Sequence, residues 1–446
     1  MNFYIKTYGC QMNERDSDSA AALLQNAGHT PVSSEEEADL ILLNTCSVRD
    51  QAERKAIGKL GILKRLKKEK PDMIFGIMGC MAQSRGAELL RDIPHLDFSL
   101  GTDQIHRLPG IVGDLLRERK KILLDERIDA DAPGIDMHRL PADGAPAFSA
   151  FVSIMRGCSR FCSYCIVPFA RGPERSRDPG SVVAEVEKLA ADGVREIMLL
   201  GQNVAAYGLD NTAPPSDDIS PFADLLERLD RIEGLRRIRF TSPHPAFFNR
   251  RLVDAIARLD KVCKSIHLPL QSGSDRILKK MNRPYTAEGY LSVVRALRAA
   301  VPGIAFSTDV IVGFPSETEE EFEMTRSVMA AVGFDNAYIF KYSPRAGTRS
   351  AKWADDVPQE EKVRRNQILL ADLDSSVRER NRLLSGCVFE ILAEGPSKRN
   401  PQRWQGRTDT FKNVVFTPKT PICPGDFRFV RIGRTTSMTL YGEEIL

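Results

Sequence analysis

The sequence lacks any apolar run as long as a membrane span, and it carries little net charge. Its N-terminus, M-N-F-Y-I-K, has neither the basic region nor the long apolar core of a cleavable signal. The formal net charge of +3 over 446 residues is too small to establish a nucleic-acid partner. We therefore expect a cytoplasmic protein without a membrane partner, long enough for about two to four domains.

Disulfides are not expected either, because the cytoplasm keeps thiols reduced. The sequence nevertheless contains nine cysteines, a number that indicates metal or redox chemistry. Six of them fall into two patterned sets. The other three follow no pattern, and we expect them to be small buried hydrophobic residues: Cys263, Cys387 and Cys423.

Three cysteines lie close together in the stretch G-C-S-R-F-C-S-Y-C-I-V-P-F-A-R-G, residues 157–172. Cys158, Cys162 and Cys165 have the spacing C-x3-C-x2-C, with no fourth cysteine or histidine after them. Closed zinc sites and ferredoxin clusters normally use four protein ligands, so three thiolates can bind three irons of a cubane and leave the fourth iron open. The alternatives are a group of core cysteines or half of a zinc site, and the tight spacing favours the open cluster.

This spacing, with the aromatic Tyr164 before the last cysteine, resembles the radical S-adenosylmethionine (SAM) enzymes. The resemblance implies that Cys158, Cys162 and Cys165 hold a 4Fe-4S cluster. It also implies that the amino and carboxylate groups of SAM bind the open iron. An electron from the cluster then splits the sulfonium and releases a 5'-deoxyadenosyl radical.

The first segment alternates short apolar runs with helical stretches, which is typical of an α/β domain with a mainly parallel sheet. Three predicted strands end at a cysteine: Cys10, Cys46 and Cys80. Because the carboxyl ends of parallel strands share one edge, these cysteines can converge into a second three-thiolate site. The alternative is three buried cysteines that happen to end strands. Gly9 and Gly79 favour the metal site, since glycine lets the backbone approach a cluster.

From about residue 150 to residue 353, strands and helices alternate in about six βα units, which predicts a partial βα-barrel with its active site at the carboxyl ends of the strands. Polar residues fall at these ends. In the radical SAM superfamily such positions contact the methionyl end, the ribose and the adenine of SAM. The alternative role for each residue is a hydrogen bond that closes a βα turn. The resemblance implies these SAM-contacting residues: Tyr164, Gln202, Asn203, Ser242, Gln271, Arg283 and Asp309.

Residues 126–147 are rich in Pro, Gly, Ala and Asp and predict a linker. Residues 359–384 have helical spacing and many charges, which predicts a connecting helix. From residue 385 onward, short alternating stretches and turns predict a small antiparallel β-barrel. Residues 386–446 hold nine Lys and Arg against six Asp and Glu, an excess that permits RNA contact without proving it.

The tail motif L-A-E-G-P-S-K, followed by G-R-T-D-T-F-K-N-V-V-F, resembles the TRAM domain, a module of RNA-modifying enzymes. Phe411 departs from this resemblance, because a polar residue is expected there.

The three segments T-Y-G-C-Q-M-N, L-N-T-C-S-V-R and M-G-C-M-A-Q resemble the N-terminal domain of the methylthiotransferases. The resemblance covers essentially the whole chain. It implies a flavodoxin-like domain over residues 1–125, a radical SAM core with its connecting helix over residues 148–384, and a TRAM-like domain over residues 385–446. It also implies that Cys10, Cys46 and Cys80 hold an auxiliary 4Fe-4S cluster.

Within this family the motifs look like the MiaB type, which acts on transfer RNA at an isopentenyl-adenosine next to the anticodon. The implied reaction replaces the C2 hydrogen with a methylthio group. One SAM methylates a sulfur associated with the auxiliary cluster, and a second SAM gives the radical. The implied partners are this transfer RNA, a reducing protein such as flavodoxin or ferredoxin, and iron-sulfur assembly or carrier proteins.

Two other functions stay open at this point. The chain could be a methylthiotransferase that acts on an aspartate of a ribosomal protein. It could also be an RNA-binding iron-sulfur protein without catalysis.

Overall fold

The computed structural model describes residues 1–47, 50–118, 120–126, 147–210 and 216–445. The predicted linker, residues 126–147, lies outside the described residues except at its two ends. Among the helices described, none is both long and apolar enough to cross a lipid bilayer.

The N-terminal part is an open sheet of six parallel strands with helices on both faces. The strands lie in the order β2-β1-β3-β4-β5-β6. This is the flavodoxin-like order with one further edge strand, which confirms the predicted fold. The elements are β1 (Asn2–Tyr8), α1 (Gln11–Asn26), β2 (Thr30–Pro31), β3 (Leu40–Thr45), α2 (Asp50–Glu69), β4 (Ile74–Gly79), α3 (Cys80–Asp92), β5 (Phe98–Leu100), α4 (Leu108–Arg117) and β6 (Ile122–Leu124).

The side chains of this sheet explain its layers. Every residue of β3 and β4 is buried, as expected for central parallel strands that are covered on both faces. Leu24 of α1 and Ile111 of α4 pack in one core, and Leu60 of α2 and Leu89 of α3 pack in the other. The helices therefore cover both faces and leave the carboxyl edge of the strands for a site.

The central part holds six parallel strands in two groups, in the orders β11-β10-β7 and β12-β13-β14. A parallel bridge between Ile238 and Val262 joins the two groups. The result is the predicted partial βα-barrel. Its elements are β7 (Ser149–Ser153), β8 (Met155–Arg156), α5 (Val167–Arg171), β9 (Arg175–Ser176), α6 (Pro179–Ala191), β10 (Glu196–Leu200), α7 (Pro221–Asp230), β11 (Arg237–Phe240), α8 (Arg250–Arg258), β12 (Ser265–His267), α9 (Asp275–Lys280), α10 (Ala287–Ala300), β13 (Ala305–Val312), α11 (Glu319–Val332) and β14 (Asn336–Lys341).

A long helix leads from this part into a closed five-stranded barrel with the strand order β15-β16-β17-β19-β18. The predicted antiparallel barrel is confirmed with one difference, since β17 and β19 pair in parallel. Closure leaves no free sheet edge. The elements are α12 (Gln359–Arg382), β15 (Val388–Ser397), β16 (Asn400–Arg407), β17 (Asn413–Thr417), β18 (Phe427–Thr435) and β19 (Leu440–Glu444).

The barrel docks on β11 through arginines of that strand. The two terminal nitrogens of Arg239 donate to the backbone oxygens of Asp409 and Thr408, at 2.8 and 2.7 Å. The Arg239 guanidinium also lies 4.8 Å from the centre of the Phe411 ring. Phe411, where the family resemblance led us to expect a polar residue, is 39% exposed and contacts Arg239 across the boundary between the two domains.

The three unpatterned cysteines differ in burial. Cys263 is buried, as expected, but Cys387 and Cys423 are exposed, so the prediction of burial was wrong for these two. Cys387 precedes β15, and Cys423 lies in the connection before β18. Both positions are in short segments at the rim of the barrel, where there is little protein to cover a side chain.

Candidate iron-sulfur and SAM site

A pinched loop between β8 and β9 carries Cys158, Cys162 and Cys165. The two strands pair in antiparallel fashion, and the Cys158 N–H donates to the Gly172 oxygen at 3.0 Å. Gly157 has a φ of +79°, and a Cβ there would lie 1.9 Å from the Pro173 oxygen. Glycine is therefore required at the point where the loop closes.

The three thiols of this loop influence one another electrostatically. Burial raises the pKa of Cys158 to about 11 and that of Cys165 to about 12, and the charge of Cys162 adds to both effects. Buried thiols that repel one another's negative charge need a cation to become thiolates together. This donor set fits an iron cluster.

Arg283 brings a positive charge to the same loop. Its Nη1 donates to Cys162 Sγ at 3.4 Å, and its Nε donates to the Tyr285 hydroxyl at 3.0 Å. Tyr164, within the loop, lies edge-on to Phe314, with 6.4 Å between the ring centres, and packs against the small core that contains Phe314. The structure thus brings two of the predicted SAM contacts, Tyr164 and Arg283, next to the cysteines.

The residues that follow β10 hold unused hydrogen-bonding capacity. Asn203 accepts a hydrogen bond from the His244 N–H at 3.0 Å, but its buried Nδ2 has no partner in the described structure. The buried Gln202 Oε1 has none either. Buried polar atoms usually find partners, so these two atoms fit a polar ligand such as SAM.

The other predicted contacts are spread over three strands. Ser242 follows β11 and Gln271 follows β12, and both adopt left-handed φ angles, of 59° and 67°. Strain of this kind is common at ligand sites. Asp309 lies within β13 rather than at its end, and its Oδ2 is 3.3 Å from His267 Nε2. Part of its hydrogen-bonding capacity is therefore already used.

His244 lies deep beside this group. Burial, together with the charges of Arg283 and Arg160, lowers its pKa well below the usual value, so the ring is neutral. Its Nδ1 accepts from the Ala246 N–H at 3.2 Å, which caps a short helical turn. The Nδ1 atom of His244 therefore stabilises this turn.

The second cysteine set lies at the carboxyl edge of the N-terminal sheet. Cys10, Cys46 and Cys80 follow β1, β3 and β4, which are adjacent strands. The register aligns the last residues of these strands, Tyr8, Thr45 and Gly79. The three cysteines therefore lie side by side at the carboxyl ends of adjacent strands, as the sequence predicts.

Two asparagines shape the edge of the sheet around these cysteines. Asn13 Nδ2 donates to Asn44 Oδ1 at 2.9 Å, and Asn13 Oδ1 is 3.3 Å from Cys10 Sγ. A Cβ at Gly9 would lie 2.4 Å from Asn13 Oδ1, and one at Gly79 would lie 2.4 Å from Asn44 Oδ1. These glycines make room for the asparagine pair, which is a different reason from the cluster approach inferred from the sequence.

The thiols of the second set are unlike one another. A hydrogen bond from Cys46 lowers the pKa of Cys10 to about 5, against the opposing effect of burial and with help from the positive charge of Arg171. Burial raises the pKa of Cys80, and Arg171 opposes this rise. Thiolates are the form that binds iron, and the lowered pKa of Cys10 favours that form.

Arg171 reaches this site from the other domain. It ends α5, which begins two residues after Cys165. Its Nη2 donates to Asp16 Oδ2 at 2.7 Å, and Arg156 Nη1 donates to Asp16 Oδ1 at 3.0 Å. The short helix α5 therefore connects the loop of the first cysteine set to the second set.

Neither set has the geometry of a mononuclear metal site. Within the part of the chain that the structure describes, no three His, Cys, Asp or Glu side chains are grouped to hold one metal ion. The ligands of a cubane bind different irons and need not meet at one point. The donor sets therefore fit clusters by their chemistry, with three thiols in each.

Comparisons with known proteins identify the family of this chain. Residues 152–329 match the Radical SAM superfamily, and residues 2–101 match the uncharacterized protein family UPF0004. A tRNA-2-methylthio-N(6)-dimethylallyladenosine synthase of Opitutus terrae is 48% identical, over 99% of this chain and 97% of its own length. Proteins of the same name are 46% identical in Akkermansia muciniphila, over 98% of both chains, and in Moorella thermoacetica, over 99% of this chain and 98% of the relative. The chain belongs to the MiaB-type family of radical SAM methylthiotransferases.

Solved structures support the fold of this family member. The radical SAM methyltransferase TsrM of Kitasatospora setae, with tryptophan and a SAM analogue bound, superposes with a TM-score of 0.54 at 15% identity, over 76% of this chain and 72% of TsrM. A second TsrM structure, with cobalamin and a 4Fe-4S cluster, gives 0.53 at 14% identity, over 78% of this chain and 77% of that one. At such identity the likeness is one of fold alone.

Sequence reasoning missed the residues that join the two halves of the site. Asp16, Arg156 and Arg171 follow no motif of known spacing, although Arg171 and Asp16 each lie six residues after a candidate ligand. A buried Asp in α1, whose neighbours in sequence are mostly polar, gives no signal of its own. Only the docking of the two domains reveals the group.

Proposed function

We propose that the chain replaces the C2 hydrogen of an isopentenyl-adenosine, next to a transfer-RNA anticodon, with a methylthio group. Relatives at 46–48% identity over nearly the whole chain carry the corresponding name. The observation that carries the proposal is the pair of three-cysteine sets connected by α5. A radical reaction that also inserts sulfur needs two such sites, and a simple radical enzyme needs one.

As a radical SAM enzyme, the chain uses SAM and a 4Fe-4S cluster. We assign that cluster to Cys158, Cys162 and Cys165, and a second 4Fe-4S cluster to Cys10, Cys46 and Cys80. When bound, the first supplies the electron that cleaves SAM and the second supplies the sulfur, which a further SAM methylates. The chain's own residues bind and orient the reactants around them.

The side chains at the strand ends bind SAM in this proposal. Gln202 and Asn203 offer a buried acceptor and a buried donor without partners among the described residues, which suits the polar methionyl and ribose groups. Arg283 places a guanidinium beside Cys162, where a carboxylate also binds well. Two further groups complete the set at the neighbouring strands, with a role in positioning: Ser242 and Gln271.

Tyr164 and Asp309 have more limited roles. Tyr164 fixes the loop against the core, so its ring supports the ligand from the side. Asp309 already faces His267, and we assign it a contact with the ribose through its remaining oxygen capacity.

The C-terminal barrel provides a basic surface for RNA in this proposal. Its docking face is turned to β11, and the hairpin of β15 and β16 carries exposed Lys398, Arg399 and Arg403. Cations on a small barrel attract the phosphate backbone without reading sequence. We assign residues 385–446 to this domain, residues 148–384 to the radical SAM core and residues 1–125 to the auxiliary domain. The reaction also calls for an electron donor, such as flavodoxin or ferredoxin, and for iron-sulfur carrier proteins.

The test is an anaerobic reaction of the full chain. The protein, reconstituted with iron and sulfide, receives SAM, a reductant and a transfer RNA that carries isopentenyl-adenosine. We expect a nucleoside heavier by one methylthio group in place of hydrogen, together with 5'-deoxyadenosine. A transfer RNA with unmodified adenosine is the matched control.

Other outcomes point elsewhere. If 5'-deoxyadenosine forms but the nucleoside is unchanged, while a ribosomal protein gains the group on an aspartate, the substrate assignment is wrong. If no 5'-deoxyadenosine forms in protein that carries its full iron, the chain is not catalytic.

Alanine variants of each cysteine set test the division of labour. Protein without Cys158, Cys162 and Cys165 is expected to lose SAM cleavage and product together. Protein without Cys10, Cys46 and Cys80 is expected to cleave SAM and make no methylthio product. Equal loss of SAM cleavage in both variants, each shown to be folded, would contradict the assignment.

A further inference from the structure

Two large aromatic side chains stand exposed beside the first cysteine set. Phe161 lies between Cys158 and Cys162, and Phe169 lies on α5. Their side chains are 56% and 49% exposed, and their ring centres are 6.3 Å apart at an angle of 76°. Paired aromatic rings that are about half exposed indicate a contact surface, because burial of the exposed part is favourable.

The backbone is strained to hold Phe161 in this position. Its φ is 47°, a left-handed value that bulky residues rarely adopt. Asn282, itself at a φ of 60°, donates from Nδ2 to the backbone oxygens of Phe161 and Arg160, at 3.0 and 3.2 Å. Strain that neighbouring residues fix in place is typical of functional positions. The ring of Phe161 is therefore presented outward by the structure around it.

The aromatic pair also lies on the segment that joins the two cysteine sets. Phe169 comes four residues after Cys165 and two before Arg171, whose guanidinium meets Asp16 near Cys80. A substrate atom that must reach both sets has to approach this segment. The pair is thus placed to touch what surrounds the reacting atom.

A basic segment lies against the same loop. Residues 344–353, P-R-A-G-T-R-S-A-K-W, contain three cations and no acid. The Ser350 N–H donates to the Ser163 oxygen at 2.8 Å, which fixes the segment to the cysteine loop. Arg349 and Lys352 are exposed. Aromatic rings beside positive charge are the usual means of binding single-stranded nucleic acid.

We propose that Phe161 and Phe169 stack on an unpaired RNA base that neighbours the reacting adenosine, while Arg349 and Lys352 contact the adjacent phosphates. This inference rests on the proposed function. An adenosine has to leave its own stack to enter a buried site, and the base beside it then loses a stacking partner. Phe161 and Phe169 at the entrance replace that partner, and they can do so for any base because every base has a flat aromatic face.

The test measures the affinity of the full, reconstituted chain for a fluorescent anticodon stem-loop RNA that carries isopentenyl-adenosine. Phe161→Ala and Phe169→Ala are each expected to weaken binding about tenfold, the effect of losing one base stack. Phe161→Trp and Phe169→Tyr keep a flat ring and are expected to bind within about twofold of the parent chain. Leu116→Ala removes a side chain that is 57% exposed in another domain, and it serves as the matched control.

Salt dependence tests the phosphate contacts. Arg349→Gln and Lys352→Gln are each expected to reduce the slope of log affinity against log salt by about 0.7, the value for one contact to a single strand. An unchanged slope in both variants overturns the assignment of these two residues.

Phe161→Leu and Phe169→Leu keep an apolar side chain of similar bulk, so they are expected to fold even if the alanine variants do not. Iron content and circular dichroism measure the folding of each variant. The leucine variants are expected to bind as weakly as the alanine variants, because an aliphatic side chain cannot stack. Binding equal to the parent chain in both alanine variants overturns the inference. So does a loss that appears only with isopentenylated RNA and not with unmodified RNA, since that loss reports contact with the isopentenyl group.

The stacking contact and the proposed function can be tested separately. If the parent chain neither binds the RNA nor forms the methylthio nucleoside, the proposed function is wrong. If the parent chain forms the nucleoside while the phenylalanine variants bind RNA normally, only the stacking assignment is wrong.

Discussion

Arg171 Nη2 lies 2.7 Å from Asp16 Oδ2, across the boundary between the two domains that carry the cysteine sets. Arg156 donates to the other oxygen of the same carboxylate at 3.0 Å. Asp16 is fully buried, and the two arginines are 4% exposed. One carboxylate thus balances two cations where α1 meets α5, next to Cys10 and Cys80.

Replacing this carboxylate is expected to loosen the docking of the two domains. Asp16→Asn keeps the shape but removes the negative charge that Arg156 and Arg171 share. Removing one partner of a buried ionic group costs about 3–5 kcal/mol, so the midpoint of thermal unfolding is expected to fall by several degrees. Differential scanning calorimetry of the metal-free chain measures the change.

Asp218→Asn is the control for this substitution. Asp218 pairs with Arg250 at 2.7 Å, but the two side chains are 78% and 70% exposed. An exposed pair contributes about 0–1 kcal/mol, so little change is expected. Equal losses of stability in the two variants would show that the buried Asp16 group contributes no more than an exposed ion pair.

The cysteine loop depends on Gly157. Gly157→Ala would place a Cβ 1.9 Å from the Pro173 oxygen at a φ of +79°, so the loop cannot close as it does now. With one 4Fe-4S cluster on each cysteine set, as proposed, we expect the variant to lose the cluster of the first set and half of its iron. Gly58→Ala, where a Cβ meets nothing within 4 Å on a helix, is the control. It is expected to keep all of its iron and to gain about 0.5–1 kcal/mol of stability. Full iron in Gly157→Ala would contradict the role of the loop.

The attachment of the barrel depends on Arg239. Arg239→Met removes donors to the backbone oxygens of Thr408 and Asp409 and leaves the Glu196 carboxylate unpaired. We expect a loss of about 3 kcal/mol and faster proteolytic cleavage near residue 385. Arg236 directly precedes β11, and its side chain is 53% exposed. Arg236→Met is therefore expected to cost less than about 1 kcal/mol. Cleavage at equal rates in both variants would argue against docking through Arg239.

Glu321 is expected to make the stability of the radical SAM core depend on pH in the acid range. Burial alone would raise its pKa, but the Arg276 side chain, the Thr318 N–H and the Ser274 hydroxyl lower it to about 2, from the usual 4.5. A carboxyl with a lowered pKa in the folded state stabilises the fold above its unfolded pKa. That stability is lost as the pH falls from about 4.5 toward about 2. We expect Glu321→Gln to be less stable than the parent chain at pH 6 and to show a smaller drop over this range, in unfolding by urea at each pH. Parallel curves for the two proteins would contradict the prediction.

Much of the fold could be read from local pattern. Alternating strands and helices predict the parallel sheet and the partial barrel, because burial on both faces produces apolar runs of strand length. Because an apolar strand ends just before each of Cys10, Cys46 and Cys80, the sequence also predicted that these cysteines lie at the carboxyl edge of the sheet. The pairing of β17 with β19 in parallel was not expected, since chain direction in a closed barrel depends on how the ends meet.

The sequence by itself determined the identity and spacing of the cysteines, the order of the domains and the family. These depend on residues near one another in the chain or on strand ends that the sheet aligns. Tertiary structure alone decided that Arg171 meets Asp16, 155 residues away, and that Phe411 packs against Arg239. It also decided that Phe161 is held outward by Asn282. Such partners are brought together by the packing of whole domains, and no local preference of either residue records where the other will lie.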